Sequence, residues 1–337
     1  MKREALLYQE LDDQQVQCNL CCHHCKIANE KFGVCGVRQD IDGVLFTHVY
    51  GNIISAHVDP IEKKPLYHFL PGSKSFSIAT IGCNFRCGFC QNWEISQVKI
   101  DEHKSKEEDY YLPETVVKVA LDSGCKSISY TYTEPTIFFE YALDCAKLAK
   151  EKSLYNIFVT NGFMTNEAIE MIKPYLNAAS VDLKFFKDES YRKICGGSLQ
   201  PVLDSITLMN EFGIWVEVTT LVVPGENDSD GELKAIAQFL ASVDKNIPWH
   251  ISRFHPDYKM QDSVLTSEKI LKKALDIGYQ EGIKYVYVGN VYGWGNDTIC
   301  HNCKKLLIKR EGLGILESRI QDNSCPNCKS AIPGIFH

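Results

Sequence analysis

The stretch CNFRCGFC, residues 83–90, places three cysteines within eight residues directly after an apolar run. Cys83, Cys87 and Cys90 are spaced C-x3-C-x2-C, which offers three thiolates to one inorganic centre. Iron–sulfur cubanes are usually held by four cysteines, and no obvious fourth follows nearby, so this spacing suggests a [4Fe–4S] cluster with one open iron. An open iron can bind a substrate or cosubstrate. The alternatives are a zinc knuckle or three unrelated buried thiols.

Length and charge limit the possible functions. The chain has 337 residues, enough for one large α/β domain and one or two small modules. Its 36 basic and 43 acidic residues give a net charge of -7, which argues against a general nucleic-acid or membrane-surface binder. Residues 1–17 lack the apolar core of a signal peptide, and no run approaches the roughly 20 apolar residues that cross a bilayer. We therefore expect a cytoplasmic protein without nucleic-acid or membrane partners.

The fifteen cysteines indicate metal ligation rather than disulfides, because most of them stand in short-spaced groups of a chain expected to be cytosolic. The N-terminal group comprises Cys18, Cys21, Cys25 and Cys35, spaced C-x2-C-x3-C-x9-C. Four thiolates suit tetrahedral zinc in a small structural knuckle, and they suit a second [4Fe–4S] cluster equally well. The spacing does not decide between these two metals.

A third group lies near the other end of the chain. Cys300, Cys303, Cys325 and Cys328 are spaced C-x2-C-x21-C-x2-C, close to the pattern of zinc ribbons. All four ligand positions are filled, so we predict a closed, structural zinc site or a rubredoxin-like iron site. The segments LLIKREGLG and GILESRI between the two pairs predict the short strands of a ribbon.

After Gly72 the pattern alternates between strands and amphipathic helices, which indicates βα units around a parallel sheet. We predict an α/β fold, a partial, TIM-like (β/α)6 barrel at residues 75–296. It is flanked by an N-terminal Cys-rich β segment at 1–74 and a zinc-ribbon-like module at 297–337. Residues 44–58 predict one or two strands of the N-terminal layer, and Pro113 and Gly231 begin two of the predicted helices. The predicted barrel strands are 75–82, 127–134, 156–162, 179–186, 215–223, 249–255 and 285–290.

Polar residues stand at the ends of these apolar strands, where barrel folds place their functional groups. Each could instead cap a helix or complete a hydrogen bond within a loop. The whole set therefore indicates a functional site more strongly than any single residue does. The candidates are Glu134, Thr160, Asn161, Asp182, Lys184, Thr219, Thr220, Arg253 and His255. No catalytic residue and no role for Cys195 can be assigned from the sequence.

The three-cysteine loop, with Phe89 before its last cysteine, resembles the signature of the radical S-adenosylmethionine (SAM) superfamily. The resemblance implies a partial barrel and a reduced [4Fe–4S] cluster that binds the amino and carboxylate groups of SAM. Such a cluster cleaves SAM to a 5′-deoxyadenosyl radical, which abstracts hydrogen from a substrate. It also implies an electron donor such as flavodoxin or ferredoxin.

The resemblance extends to residues that would contact SAM. Glu134 in TYTEPT corresponds to the motif that meets the SAM amino group. Asp182 and Lys184 in VDLKFF match residues that meet its ribose and carboxylate. The same comparison suggests SAM contacts for Thr160, Asn161 and His255.

Residues 75–290 resemble the pyruvate formate-lyase activating enzymes, whose three-cysteine loop lies much nearer the N-terminus. The Cys-rich flanks and the connector DPIEKKPLYHFLPG resemble the AmmeMemoRadiSam system radical SAM proteins, which are associated by name with Memo-type and AMMECR-type partners. Because this second likeness covers most of the chain, we favour a SAM-cleaving enzyme of the AmmeMemoRadiSam type, with an unknown substrate. The alternatives are an activating enzyme of a glycyl-radical enzyme and a non-enzymatic metal-binding adaptor.

Overall fold

Two small antiparallel sheets form the first part of the chain. The computed structural model describes residues 1–98, 100 and 110–336. The small sheets have the strand orders β1-β6-β5 and β2-β3-β4. Their strands are β1 (Arg3–Glu4), β2 (Tyr8–Leu11), β3 (Gln15–Cys18), β4 (Lys26–Ile27), β5 (Arg38–Ile41) and β6 (Val44–Thr47).

One eight-stranded sheet dominates the rest of the fold and confirms the predicted α/β class. Seven strands are parallel, in the order β14-β13-β12-β11-β10-β9-β8, and the antiparallel strand β7 completes the sheet next to β8. The strands predicted between residues 44 and 58 are thus divided, because β6 belongs to a small sheet and β7 to the large one. The strands are β7 (Ser55–Pro60), β8 (Lys74–Ala79), β9 (Ser127–Tyr130), β10 (Tyr155–Thr160), β11 (Ala178–Asp182), β12 (Trp215–Val222), β13 (Trp249–Arg253) and β14 (Val286–Gly289).

The helices connect the parallel strands, as the alternating pattern predicted. Thr165, Ser229 and Ser267 cap three of them, because each side chain accepts a hydrogen bond from a backbone N–H of the first turn. None of the helices in the described ranges is long and apolar enough to cross a membrane. The helices are α1 (Trp93–Ser96), α2 (Pro113–Asp122), α3 (Phe139–Glu151), α4 (Asn166–Ile172), α5 (Asp188–Ser190), α6 (Gln200–Glu211), α7 (Asp230–Val243) and α8 (Glu268–Gln280), with a π-helical turn at Tyr191–Cys195.

The C-terminal strands form a three-stranded antiparallel sheet that packs on the last barrel strand. They are β15 (Thr298–Ile299), β16 (Leu306–Glu311) and β17 (Gly314–Ser318). Leu307 and Ile308 of β16 share a buried cluster with Tyr287 of β14 and Tyr67 of the connector. Arg310 adds a stack on the Tyr67 ring, 4.2 Å from its centroid, and donates to the Tyr67 carbonyl over 2.9 Å.

The connector between β7 and β8 closes the amino end of the barrel. The Glu217 carboxylate, buried on β12, accepts hydrogen bonds from the backbone N–H groups of Tyr67 and His68 over 2.9 and 2.7 Å. It also lies 2.7 Å from Nε2 of His250 on β13. Because several donors converge on this buried acid, the amino end of the barrel is tied together rather than open.

His68 is held in one neutral form by its two neighbours. Its Nδ1 lies 2.7 Å from the Pro333 carbonyl, which can only accept a hydrogen bond, and its Nε2 lies 2.6 Å from the Tyr287 hydroxyl. Nδ1 therefore carries the proton, and Nε2 accepts from Tyr287. Burial lowers the pKa of His68 to about 4, although the nearby Glu217 charge acts in the opposite direction.

This depressed pKa predicts that His68 makes folding pH-dependent. His68 gains its proton near pH 6.5 in the unfolded chain and only near pH 4 in the folded one. The contribution of His68 to the free energy of unfolding is therefore fully present above pH 6.5. It falls by about 3 kcal/mol as the pH is lowered from 6.5 to 4. Urea unfolding of the parent and of His68→Gln across this range measures the difference. His57→Gln, at an exposed site, should show the same dependence of the free energy of unfolding on pH as the parent. If His68→Gln also showed the parent's pH dependence, the assignment to His68 would be wrong.

Candidate functional site at the carboxyl ends of the strands

The three cysteines of the 83–90 loop lie directly beyond β8, at the carboxyl end of the sheet. Cys83 and Cys87 are each 8% exposed, and Cys90 is half-buried. The backbone N–H of Phe85 donates to the Cys83 sulfur over 3.3 Å, and the Ser96 hydroxyl lies 3.2 Å from the Cys90 sulfur. Hydrogen bonds to sulfur are one of the means by which proteins tune an iron–sulfur centre.

These three thiols need a cation if they are to be charged. Burial raises the pKa of Cys83 well above its usual value and also raises that of Cys90. The thiolate is the form that binds metal, so a bound metal must compensate its charge. The donor set of three sulfurs in one loop therefore fits an iron–sulfur cluster.

Asn161 joins the end of β10 to this loop. Its Nδ2 donates to Asn84 Oδ1 over 2.7 Å and lies 3.9 Å from the Cys83 sulfur. Its Oδ1 accepts from the Phe163 backbone N–H over 2.9 Å, which fixes the amide orientation. Asn161, predicted from its place at a strand end, thus lies against one of the three cysteines of the loop.

Glu134 is fully buried, and its carboxylate is occupied by neighbours within the chain. Oε1 accepts from the Thr136 and Thr160 hydroxyls over 2.6 and 2.7 Å and from the Thr136 N–H over 3.1 Å. Oε2 accepts from the Asn161 N–H over 2.7 Å. Burial raises the pKa of Glu134, and these hydrogen bonds oppose the increase. Glu134 and Thr160 therefore position Asn161, which in turn contacts the cluster loop.

We predict that Glu134→Gln destabilises the fold by about 1–3 kcal/mol, because one acceptor oxygen is replaced by an N–H2 group that faces buried donors. Urea unfolding of anaerobically purified protein measures the loss. Glu114→Gln, at an exposed site in the first turn of α2, is the matched control and should change little. Equal stability of the two variants would show that the Glu134 carboxylate is not the acceptor described here.

Asp182 and Lys184 form an ion pair at the end of β11. Lys184 Nζ lies 2.7 Å from Asp182 Oδ2 and 5.8 Å from the centroid of the Phe89 ring in the cysteine loop. Burial alone would lower the pKa of Lys184, but the negative charge of Asp182 acts in the opposite direction, and the pKa lies well above its usual value. A permanent cation therefore stands beside the cysteine loop.

Hydroxyl groups without partners lie on the face of the sheet that carries Asp182. The strand register pairs Asp182 with Thr219, and side-chain alternation places Ser180 on the same face. The hydroxyl oxygens of Ser180 and Thr219 are buried and have no hydrogen-bond partner in the part of the chain that is described. Such groups fit a polar ligand such as SAM, because a buried hydroxyl without a partner is costly.

Cys195 lies against the cysteine loop, which sequence reasoning did not reveal. The N–H groups of Arg86 and Gly88 donate to the Cys195 and Ile194 carbonyls over 2.7 and 3.0 Å. The neighbouring Cys195 thiol, together with burial, raises the pKa of Cys87 well above its usual value. In the sequence Cys195 is seen only as a cysteine followed by two glycines, and this pattern does not indicate that it lies beside Cys87.

The remaining candidates do not join this group. Thr220 donates to the Leu183 carbonyl over 2.9 Å, and Arg253 donates to the Thr266 carbonyl over 2.8 Å, so both act within the framework. His255 is exposed two residues beyond β13. The predicted SAM contact of His255 stays a prediction.

The C-terminal cysteines form a compact group of a different kind. The sulfurs of Cys300, Cys303, Cys325 and Cys328 all lie within 4.8 Å of one another. Cys300 and Cys328 are 3.6 Å apart, as are Cys303 and Cys325. Tetrahedral zinc with Zn–S bonds near 2.3 Å requires sulfurs about 3.8 Å apart, so this group fits one zinc ion.

Comparisons with known proteins agree with this geometry. Residues 77–240 match the family model of the radical SAM superfamily. An uncharacterized protein of Methanocaldococcus jannaschii is 42% identical, over 98% of this chain and 98% of its own. The pyruvate formate-lyase-activating enzyme of Clostridium pasteurianum is 22% identical, over 57% of this chain and 84% of its own. The structure of Streptococcus suis SuiB bound to S-adenosylmethionine shares the fold, with a TM-score of 0.51 and 13% identity over 68% of this chain and 53% of SuiB.

Proposed function

Because this chain belongs to the radical SAM superfamily and is related to the pyruvate formate-lyase activating enzymes, we propose that it cleaves SAM reductively. The observation that carries the proposal is the loop of Cys83, Cys87 and Cys90, which gathers two buried sulfurs and one half-buried sulfur at the carboxyl end of the sheet. These cysteines would hold a [4Fe–4S] cluster with one iron open to SAM. When bound, the cluster supplies the electron that cleaves SAM to a 5′-deoxyadenosyl radical. Membership of this superfamily makes the chain an enzyme rather than a metal-binding adaptor.

The residues around the loop have distinct proposed tasks. Asp182 and Lys184 would bind the ribose and carboxylate of SAM, since they offer one acceptor and one cation beside the loop. Asn161 would orient the loop and contact the same ligand. Glu134 and Thr160 would act mainly through Asn161, because their side chains already bind each other. His255, being exposed, would meet SAM only from the outer side of the site.

We expect the reconstituted protein, reduced by dithionite without oxygen, to convert SAM to 5′-deoxyadenosine. Cys87→Ala should lower the rate at least about 100-fold, because the cluster loses one of its three ligands. Liquid chromatography of the quenched reaction measures the product. Cys125→Ser, a substitution outside all three cysteine groups, should retain activity. A parent with a fully loaded cluster that forms no 5′-deoxyadenosine would overturn the proposal.

We propose that the enzyme is of the AmmeMemoRadiSam type, with an unknown substrate. Its partners would be Memo-type and AMMECR-type proteins, and its electron donor would be flavodoxin or ferredoxin. The support for this type is the length over which similarity extends. The M. jannaschii relative is similar over 98% of both chains, including both Cys-rich flanks. Similarity to the activating enzyme covers only 57% of this chain. The M. jannaschii relative thus shares the flanks together with the parallel sheet.

A second candidate function is the activation of a glycyl-radical enzyme. The observation that favours it is the kinship with the pyruvate formate-lyase-activating enzyme of C. pasteurianum. The same anaerobic reaction distinguishes the two when partners are added. A lasting glycyl-radical doublet on an added formate-lyase-type protein would favour activation. A mass change in a Memo-type or AMMECR-type protein, or in a small molecule supplied with it, would favour the first candidate.

For the C-terminal group we propose structural zinc. Its four sulfurs have the spacing of a tetrahedral site, and Ser330 hydrogen bonds lower the pKa of Cys328 to about 6, which favours the thiolate. The site lies in the module that packs on β14 and on the connector. Zinc would thus stabilise the closure of the amino end of the barrel.

We predict that Cys300→Ser removes one equivalent of zinc per chain, because a structural site needs all four thiolates. Metal analysis of the purified protein gives the count, and thermal unfolding should begin at a lower temperature. His301→Gln is the matched control and should keep its zinc. The His301 Nδ1 atom pairs with the Tyr285 hydroxyl at 2.9 Å and is not one of the four ligand atoms. Unchanged zinc content in Cys300→Ser would refute the assignment.

A further inference from the structure

The N-terminal cysteine group surrounds a cavity that the proposed function does not use. Cys18, Cys21, Cys25 and Cys35 all line it. The fifth cysteine of the segment, Cys22, turns away and donates to the Met164 carbonyl over 3.0 Å. The four cysteines that the spacing selected thus face one space, and the cysteine between them does not.

The spacing of these sulfurs differs from that of the C-terminal group. Among the residues that the structure describes, the set at Cys300 to Cys328 is the one group of three or more possible ligand atoms that all lie within 4.8 Å of one another. No three of the N-terminal sulfurs are so close. Zinc needs sulfurs about 3.8 Å apart. In a cubane each thiolate binds a different iron, so the sulfurs stand about 6 Å apart. The N-terminal group is therefore wider than one zinc ion requires and leaves room for a cluster, whereas the compact group fits one ion.

Arg38 provides buried N–H groups at the same cavity. Its side chain is 2% exposed and lines the space between the cysteines. Nη2 lies 2.6 Å from the Leu6 carbonyl and 3.0 Å from Glu140, whereas Nε and Nη1 have no partner in the described ranges. Buried N–H groups without partners are rare, and sulfur atoms of a cluster would accept from them.

We propose that Cys18, Cys21, Cys25 and Cys35 hold a second [4Fe–4S] cluster that passes electrons to the cluster at Cys83, Cys87 and Cys90. All four irons would have protein ligands, so this cluster cannot bind SAM and serves in electron transfer. The relay rests on the proposed function, whereas the presence of the second cluster does not. One electron leaves an external reductant such as reduced flavodoxin, reduces the second cluster, and then reduces the first, which uses it to cleave one SAM.

The two cysteine loops are in direct contact, as a relay requires. A Cβ atom on Gly82 would lie 2.9 Å from the Cys35 carbonyl oxygen and 2.7 Å from Val37, so only glycine permits this approach. His23 donates from Nε2 to the Asn84 carbonyl over 2.7 Å. Arg86 donates to the Val34 carbonyl. Ligand-bearing segments of both sites therefore touch through backbone atoms.

The presence of the cluster is tested in the full chain with Cys83, Cys87 and Cys90 replaced together by alanine. We expect about four irons per chain after anaerobic reconstitution. After dithionite reduction, the electron paramagnetic resonance signal of a [4Fe–4S]+ cluster should appear and should not change when SAM is added. Adding Cys18→Ser and Cys21→Ser should remove iron and signal. Adding Cys22→Ser instead should keep both.

A triple-alanine variant that binds a second zinc ion at the N-terminal cysteines, instead of iron, would overturn the proposal. A resonance signal that survives the loss of Cys18 and Cys21 would also overturn it. One equivalent of zinc at the C-terminal site in every variant shows that the chain is folded. The two proposals fail separately. A parent that cleaves SAM with only about four irons refutes the second cluster alone. A parent with about eight irons that leaves SAM intact refutes the proposed function alone.

The relay itself is tested with Cys18→Ser and Cys21→Ser in a chain that keeps the 83–90 loop. The remaining cluster should hold about four irons and still change its resonance signal with SAM. Its reduction by reduced flavodoxin, followed by absorbance after rapid mixing, should slow by about tenfold or more. Cys22→Ser should match the parent. An unchanged reduction rate in the double variant would overturn the relay.

Discussion

Buried sulfur is the constraint on which this structure depends. A thiol removed from water resists ionisation, as the raised pKa of Cys83 and the pKa of Cys35 near 11 illustrate, so each buried group would become charged only if a metal took up that charge. We propose that the cysteine groups near both ends of the chain and at the carboxyl end of the large sheet meet this constraint in the same way, by binding metal.

The cysteine loop at the barrel is held from several sides. Asn161 contacts it from β10, the turn that ends at Cys195 binds its backbone, and the N-terminal segment meets it at Gly82. Most of these contacts come through backbone groups or through side chains whose own partners are buried. The loop is thus preorganised by parts of the chain that lie far apart in sequence, which favours a fixed position for whatever binds there.

Much of this architecture could be predicted from the sequence, because alternation and cysteine spacing are local properties. The seven parallel strands and helices such as α2 and α7 followed from residues that lie next to one another. Long-range partners could not be predicted. β7 joins β8 across a connector, Glu134 binds Asn161 rather than standing free, and Cys195 meets Cys87 from about one hundred residues away.

The position of β7 has a consequence for how this chain can be divided. β7 covers the outer backbone of β8 along six paired residues, from Ser55 with Ala79 to Pro60 with Lys74. A fragment that began at residue 75 would leave that backbone unpaired beside the cysteine loop, and exposed strand edges recruit other chains. Recombination among relatives, or a minimal catalytic fragment made by protein engineers, therefore has to carry the strand from the preceding segment along with the barrel.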